Sequence, residues 1–127
     1  MDSCINVNPE VFEKFRAEVG GAPIMMLNLL KYKEIVQETG EPGKEAYSKY
    51  LNEGAPFLKK VKAKVVFIGA PKHMLIGPID EELWDAVIIV QYHSIDDFIT
   101  MVTSEGYPSH LRARALRDSR LIHCKSI

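Results

Sequence analysis

Several polar residues stand in segments that are otherwise apolar, and their chemistry could serve a binding site. Asn28 is the single polar residue in the stretch of residues 24–30. A buried amide needs partners, so Asn28 either bonds to backbone or faces a cavity. Tyr47 and Tyr50 lie on the apolar stripe of a predicted helix. Their hydroxyls would line a cavity between this helix and a sheet, or remain at the edge of ordinary packing.

Trp84 and Asp85 begin the strongest predicted strand, where alternation directs the two side chains to opposite faces. Trp84 could form a pocket wall with its N–H directed at a ligand, or it could simply belong to the core. Asp85 is a candidate catalytic residue, because a buried carboxylate can act as a general base. The alternative for Asp85 is a surface or salt-bridged carboxylate at the start of a strand.

A basic cluster near the end of the chain offers an anion site. Its members are His110, Arg112, Arg114, Arg117 and Arg120. On a helix, Arg112 falls beside the apolar positions Leu111 and Ala115, so it is the member expected to reach inward. A guanidinium at a pocket mouth suits a carboxylate ligand. The alternative is a solvated face near a helix C-terminus, where cations are favourable in any case.

Other chemistries lack the residue spacing that they require. The four histidines are scattered, and no Gly-rich phosphate loop, Ser-His-Asp order or metal-binding spacing occurs, so we expect no metal and no cofactor. Sixteen Lys and Arg residues balance seventeen Asp and Glu residues, which does not favour a nucleic-acid partner.

Composition also indicates a compartment. No run of apolar residues is long enough for a membrane span, and the first residues lack the pattern of a signal peptide. The two cysteines, Cys4 and Cys124, are expected to be free thiols. We therefore expect a cytoplasmic protein that does not associate with membranes.

The predicted elements that must position these residues follow the order β-α-β-β-α-β, preceded by an additional N-terminal helix. The helices are expected at about residues 8–20, 44–62, 95–102 and just after Pro108, with a kink or break near Pro56. The strands are expected at residues 24–30, 64–69, 84–92 and 119–125. This order predicts a single domain over residues 1–127 with an α+β, ferredoxin-like fold: an antiparallel sheet with helices on one face.

The two central strands are apolar on both faces, which predicts self-association. Helices can cover only one face of the sheet, so the other would expose about four to six large side chains, worth roughly 6–18 kcal/mol of transfer free energy. An apolar patch of that size usually marks an interface. A two-fold homodimer through the sheet face is the simplest closure. The alternative is that terminal segments fold over that face.

Four segments together resemble a known family. They are residues 26–32 (MLNLLKY), 84–94 (WDAVIIVQYHS), 98–107 (FITMVTSEGY) and 115–122 (ALRDSRLI). They are similar to the DUF1330 family of the dimeric α+β-barrel superfamily. The resemblance implies a dimeric barrel but no established activity, because the superfamily includes cofactor-free monooxygenases, isomerases and haem-binding relatives. The chain departs from the family at residues 75–78 (LIGP), where members often carry Glu-Gly.

The leading hypothesis is binding or turnover of a small, partly apolar carboxylate or phenol-like molecule between the helices and the sheet. The predicted ligand-binding residues are Asn28, Tyr50, Trp84 and Arg112, and the predicted acid–base residue is Asp85. The sequence does not decide whether the protein is an enzyme. The alternatives are a non-catalytic ligand-sensing or structural homodimer, and a haem-binding protein.

Overall fold

Strands and helices alternate through most of the computed structural model, which describes residues 5–79 and 82–127. The helices are α1 (Pro9–Val19), α2 (Gly43–Lys60), α3 (Ile95–Val102) and α4 (Ser109–Ala115). The strands are β1 (Ile24–Tyr32), β2 (Lys64–Gly69), β3 (Ala86–Tyr92) and β4 (Leu116–Cys124).

The strands form one antiparallel sheet in the order β2-β3-β1-β4. The long apolar strand β1 is central: it pairs with β3 from Ile24 opposite Tyr92 to Leu30 opposite Ala86, and with β4 on its other side. With α2 joining β1 to β2 and α3 and α4 joining β3 to β4, this order is the ferredoxin-like fold. The α+β fold class predicted from the element order is confirmed.

The predicted N-terminal helix is present as α1. The Asn8 side chain accepts hydrogen bonds from the backbone N–H groups of Glu10 and Val11, and this caps the first turn. The helix ends at Val19 and is followed by Gly20, which has a positive φ of 62°. No residue of α1 is fully buried, and its Phe15 ring lies 4.8 Å from the His123 ring of β4. α1 therefore covers the β4 side of the sheet.

Three element boundaries differ from prediction. α2 runs without a break through Pro56, because this proline is exposed and the helix is held by the partly buried Leu51 and Leu58 on its inner face. β3 begins at Ala86 instead of Trp84. β4 begins at Leu116, directly after α4, where the register of its pairing with β1 shifts at Tyr32.

The two faces of the sheet have different surroundings. The face beneath the helices carries the core, which includes Ile24, Met26, Leu30, Ala86, Ile88 and Val90. On the opposite face, one apolar residue from each strand stands side by side in the order Phe67, Ile89, Leu27, Ile122. We call these four residues the apolar row. Phe67 is 54% exposed and Ile122 is 43% exposed, so the face is apolar and uncovered in the single chain.

The described part of the chain contains no helix with the length and apolar composition that a membrane span requires.

Candidate functional site

A cavity of about 480 Å³ lies between the helix-covered face of the sheet and the helices. Its size falls within the range of about 300–1,000 Å³ that is common for small-molecule sites. Its walls come from β1, β3, β4, all four helices, the segment before α1 and the connection between α3 and α4. Most are apolar, and the polar members are Asn6, Asn28, Tyr47, Tyr50, Tyr92, Tyr107, Ser109 and Arg112. We call this space the tyrosine cavity.

Arg112 brings a positive charge to the tyrosine cavity. It lies on α4, is half-buried, and stands close enough to Tyr47 for its charge to act on the Tyr47 hydroxyl. None of the ion pairs within residues 5–79 and 82–127 involves Arg112, whereas its neighbour Arg114 contacts Glu38 at 3.4 Å. A half-buried cation without a carboxylate partner is costly to maintain, because burial removes part of its hydration. Such a charge is satisfied when an anion binds beside it.

Tyrosine hydroxyls provide further hydrogen-bond donors in the cavity. Burial raises the pKa of Tyr47, and the nearby Arg112 charge opposes that rise only in part. Burial likewise raises the pKa of Tyr92 and of Tyr107. The Tyr50 and Tyr107 hydroxyls are hydrogen-bonded to each other. All three phenols with raised pKa values stay protonated at neutral pH, so they can donate to a ligand oxygen.

Aromatic packing fixes the positions of these hydroxyls. Tyr47, Tyr50 and Phe57 recur at helical spacing on the inner face of α2. The Tyr47 and Tyr50 rings are 5.2 Å apart, and the Tyr107 ring stands nearly perpendicular to both Tyr50 and Phe57. Tyr107 lies in the connection between α3 and α4, just after Gly106, whose φ is +84°. The rings thus hold the donors on a rigid wall.

Asn28 contributes an acceptor to the opposite wall. Its side-chain N–H donates to the backbone oxygen of Ile88 across the sheet at 3.3 Å. This bond orients the amide and leaves its Oδ1 without a donor among the described residues. Three of the predicted ligand-binding residues, Asn28, Tyr50 and Arg112, thus line the same cavity in the structure.

Trp84 and Asp85 do not line the tyrosine cavity, contrary to the expectation that five residues would share one pocket. The Trp84 ring lies 5.0 Å from Lys31 Nζ and 5.0 Å from Arg120 Cζ. Strand alternation places Lys31 and Arg120 on the sheet face away from the helices. Asp85 is exposed and its Oδ2 accepts a hydrogen bond from the Tyr32 backbone N–H at 2.8 Å. It secures the end of β1 instead of facing the cavity.

Histidine and metal chemistry find no support in the geometry. No three His, Cys, Asp or Glu side chains in the described part of the chain are grouped as metal ligands would be. None of the four histidines lines the tyrosine cavity. No residue described as lining the tyrosine cavity therefore offers an imidazole ligand to a haem iron.

Sequence reasoning missed Tyr92, Tyr107 and the segment at residues 5–7 as parts of the cavity wall. Tyr92 ends β3 on the same face as Ile88 and Val90, so alternation could have found it. Tyr107 lies outside the regular elements, and no periodic signal reports its direction. Residues 5–7 precede the first predicted helix and carry no motif.

Comparison with solved structures finds two crystal structures of one similar protein, RPA0582 of Rhodopseudomonas palustris, described as a protein of unknown function. The chain shares 37% sequence identity with one of them at a TM-score of 0.89, and the match covers 98% of each chain. The second, of the methylated protein, shares 36% identity at a TM-score of 0.90.

More distant structures share the fold at low identity. A dimeric ferredoxin-like protein of unknown function from Bacteroides fragilis has 11% identity and a TM-score of 0.52, over 85% of this chain and 99% of the other. SnoaB of Streptomyces nogalater, a cofactor-independent oxygenase, has 14% identity and a TM-score of 0.50, over 84% of this chain and 94% of the other. No family model and no curated protein matches the chain.

Proposed function

Since this chain belongs to the same family as the RPA0582 protein, whose function is unknown, we propose its function from its own cavity. We propose that the protein binds a small, partly apolar carboxylate or phenol-like molecule in the tyrosine cavity. Arg112 holds the anionic group, and the Tyr50–Tyr107 pair and Asn28 bond to further polar atoms of the ligand.

The single observation that carries this proposal is the half-buried Arg112 guanidinium, which has no carboxylate partner within the described residues. Arginine presents its N–H donors in a planar fork that matches a carboxylate. The neighbouring walls are mostly apolar and strengthen this pairing by excluding water. An organic anion satisfies both the charge and the apolar walls.

The balance of donors and acceptors supports the same ligand class. Arg112 and the protonated phenols supply donors, while Asn28 Oδ1 is an acceptor on the opposite wall. In the Tyr50–Tyr107 pair one hydroxyl donates to the other, so one proton remains for a ligand. A carboxylate or a phenolic oxygen accepts these donors, and a phenolic O–H can donate to Asn28.

The proposal assigns no reaction. Asp85 bonds to backbone outside the tyrosine cavity, so we propose no acid–base role for it. The chain shares its fold with SnoaB, a cofactor-independent oxygenase. A shared fold does not identify a reaction, because one fold can carry many unrelated functions. Membership of DUF1330 remains our proposal from the resemblance of the four segments.

We further propose that two copies associate through the sheet face that carries the apolar row. Phe67 and Ile122 at the two ends of the row are exposed, and Leu27 and Ile89 between them are half-buried. Leu75 and Ile76 in the β2–β3 connection are almost fully exposed. The Bacteroides fragilis protein with this fold is dimeric, which supports the same assembly here. A second copy would cover this face by two-fold symmetry.

A thermal-shift screen against small carboxylic acids and phenols tests the binding proposal. The expected result is a rise in Tm with at least one acid, which disappears in Arg112→Ala. Arg114→Ala is the matched control, because Arg114 is an exposed neighbour on the same helix and does not line the cavity. An equal rise in wild type and Arg112→Ala, or no rise with any compound, would contradict the proposal.

A further inference from the structure

A second cavity of about 350 Å³ adjoins the tyrosine cavity beneath the N-terminal segment. We call it the second chamber. Val11 and Phe15 of α1 and His123 of β4 line the second chamber, and none of these three residues lines the tyrosine cavity. It therefore occupies the space between α1 and the β4 side of the sheet.

The two spaces meet at Arg112. Besides this guanidinium, the residues that border both spaces are Ile5, Asn6, Val7, Phe12, Met26, Phe98 and Leu121. Except for Asn6, these shared residues are apolar. A carboxylate held by Arg112 therefore lies where an attached apolar chain can pass from one space into the other.

The second chamber suits hydrocarbon better than polar groups. It contains no tyrosine, and Val11, Phe12 and Phe15 of α1 form one of its walls. Its Asn8 side chain is engaged in capping α1, and its His123 ring packs on Phe15. The other polar residues that border it are Asn6, Arg112, Ser119 and Arg120, of which Arg120 pairs with Asp118 at 2.7 Å and Ser119 is buried. Apart from Asn6 and Arg112, few polar atoms remain to bond with a ligand there, so burial of apolar surface is the main interaction that this chamber offers.

We infer that the ligand is an elongated amphipathic monocarboxylate, with its carboxylate at Arg112, its further polar atoms in the tyrosine cavity and a hydrocarbon chain in the second chamber. This inference rests on the proposed function, because it assumes that Arg112 binds an acid. Each methylene group buried in the chamber should improve affinity by about fourfold.

The test is calorimetric titration of straight-chain monocarboxylates from butanoate to dodecanoate, each below its micelle concentration. We expect the dissociation constant to fall with chain length and then level off. Val11 lines the second chamber and does not line the tyrosine cavity, so Val11→Trp should weaken dodecanoate binding by about tenfold or more while leaving butanoate binding within about twofold. Phe15→Ala enlarges the same chamber and should move the plateau to longer acids.

Glu13→Trp is the matched control, since it places the same indole on an exposed face of α1 that does not line the chamber. Short acids that bind through Arg112 with no gain from added length, and with no effect of Val11→Trp, would overturn the inference and leave the proposed function standing. If no straight-chain acid binds, the inference fails, while the proposed function is decided by the screen of carboxylic acids and phenols. If Arg112→Gln binds all acids as well as the wild type does, both fail.

Discussion

Arg112 and Arg114 are two positions apart on the same helix, yet they differ in burial and in their contacts. Arg114 is exposed and contacts Glu38, while Arg112 is half-buried in the wall of the tyrosine cavity. The sequence distinguished them only through the apolar residues beside Arg112 on a predicted helix. The proposed role of Arg112 depends on its surroundings: the low polarity of the cavity strengthens any hydrogen bond that the guanidinium makes.

The Tyr50–Tyr107 hydrogen bond should be measurable as a coupling between the two residues. Tyr50→Phe and Tyr107→Phe each remove one hydroxyl of the pair. Each should lower the free energy of unfolding by about 1 kcal/mol, and the double variant should lose little more than either single one, because the same bond is lost. Urea denaturation of the four proteins measures this coupling, and strictly additive losses would contradict it.

Protonated buried phenols make the stability of the fold sensitive to alkaline pH. Burial raises the pKa of Tyr47 and Tyr92 in the folded state, whereas in the unfolded chain both ionise near about pH 10. Their contribution to stability is therefore complete below that pH and is lost as the pH rises further. The expected decline is about 1.4 kcal/mol per pH unit for each phenol.

Denaturation curves at increasing pH, followed together with the ultraviolet absorbance of tyrosinate, measure this effect. Ionisation of Tyr47 and Tyr92 should accompany unfolding. Ionisation of every tyrosine at its ordinary pKa in a protein that stays folded would contradict the burial of these groups.

At the scale of elements, residue periodicity predicted most of the fold. The bounds of β2 and of α3 agree with the predicted residues 64–69 and 95–102. Where prediction failed, tertiary packing decided. Pro56 does not break α2, since the inner face of that helix is anchored on both sides of the proline.

Two glycines of α2 should respond to substitution with opposite signs. A Cβ on Gly43 would lie 2.6 Å from the Ala115 carbonyl oxygen and 2.6 Å from the Lys33 backbone nitrogen, so backbone would have to move. Gly54 is buried, lines the tyrosine cavity and has nothing within 4 Å of such a Cβ. Gly43→Ala should cost about 1–3 kcal/mol, while Gly54→Ala should gain about 0.5–1 kcal/mol from helix propensity.

Thermal denaturation of the two variants provides the comparison. Equal destabilisation by both substitutions would show that the close approach of α2 to Lys33 and Ala115, or the open space beside Gly54, is described incorrectly.

For the whole molecule, the fold class followed from the sequence but the site followed only in part. Asn28, Tyr50 and Arg112 line one cavity. Their inward direction could be predicted because each belongs to a helix or strand whose apolar periodicity identifies its inner face. Trp84 and Asp85 precede β3, where the alternation that was assumed for them does not govern their surroundings. Contacts between distant segments decided their positions, and one sequence does not report such contacts.

The apolar row predicts a dimer that depends on Phe67. Phe67→Asp places a charge on a strand at the edge of the sheet, where the side chain is exposed in the single chain, so the fold should persist. Because of two-fold symmetry, each substitution occurs twice in the interface. The dissociation constant of the dimer should therefore rise by at least about tenfold. Analytical ultracentrifugation should find a wild-type dimer and a variant monomer at micromolar concentration. A wild-type monomer under those conditions would contradict the assembly.

The central claim is that Arg112 holds an organic anion within the tyrosine cavity, and a crystal structure with a bromine-substituted aromatic carboxylate tests it most directly. The account predicts a bromine anomalous peak inside the cavity, with the carboxylate within hydrogen-bond distance of the Arg112 guanidinium. A cavity without the compound at saturating concentration, or a carboxylate bound away from Arg112, would contradict it.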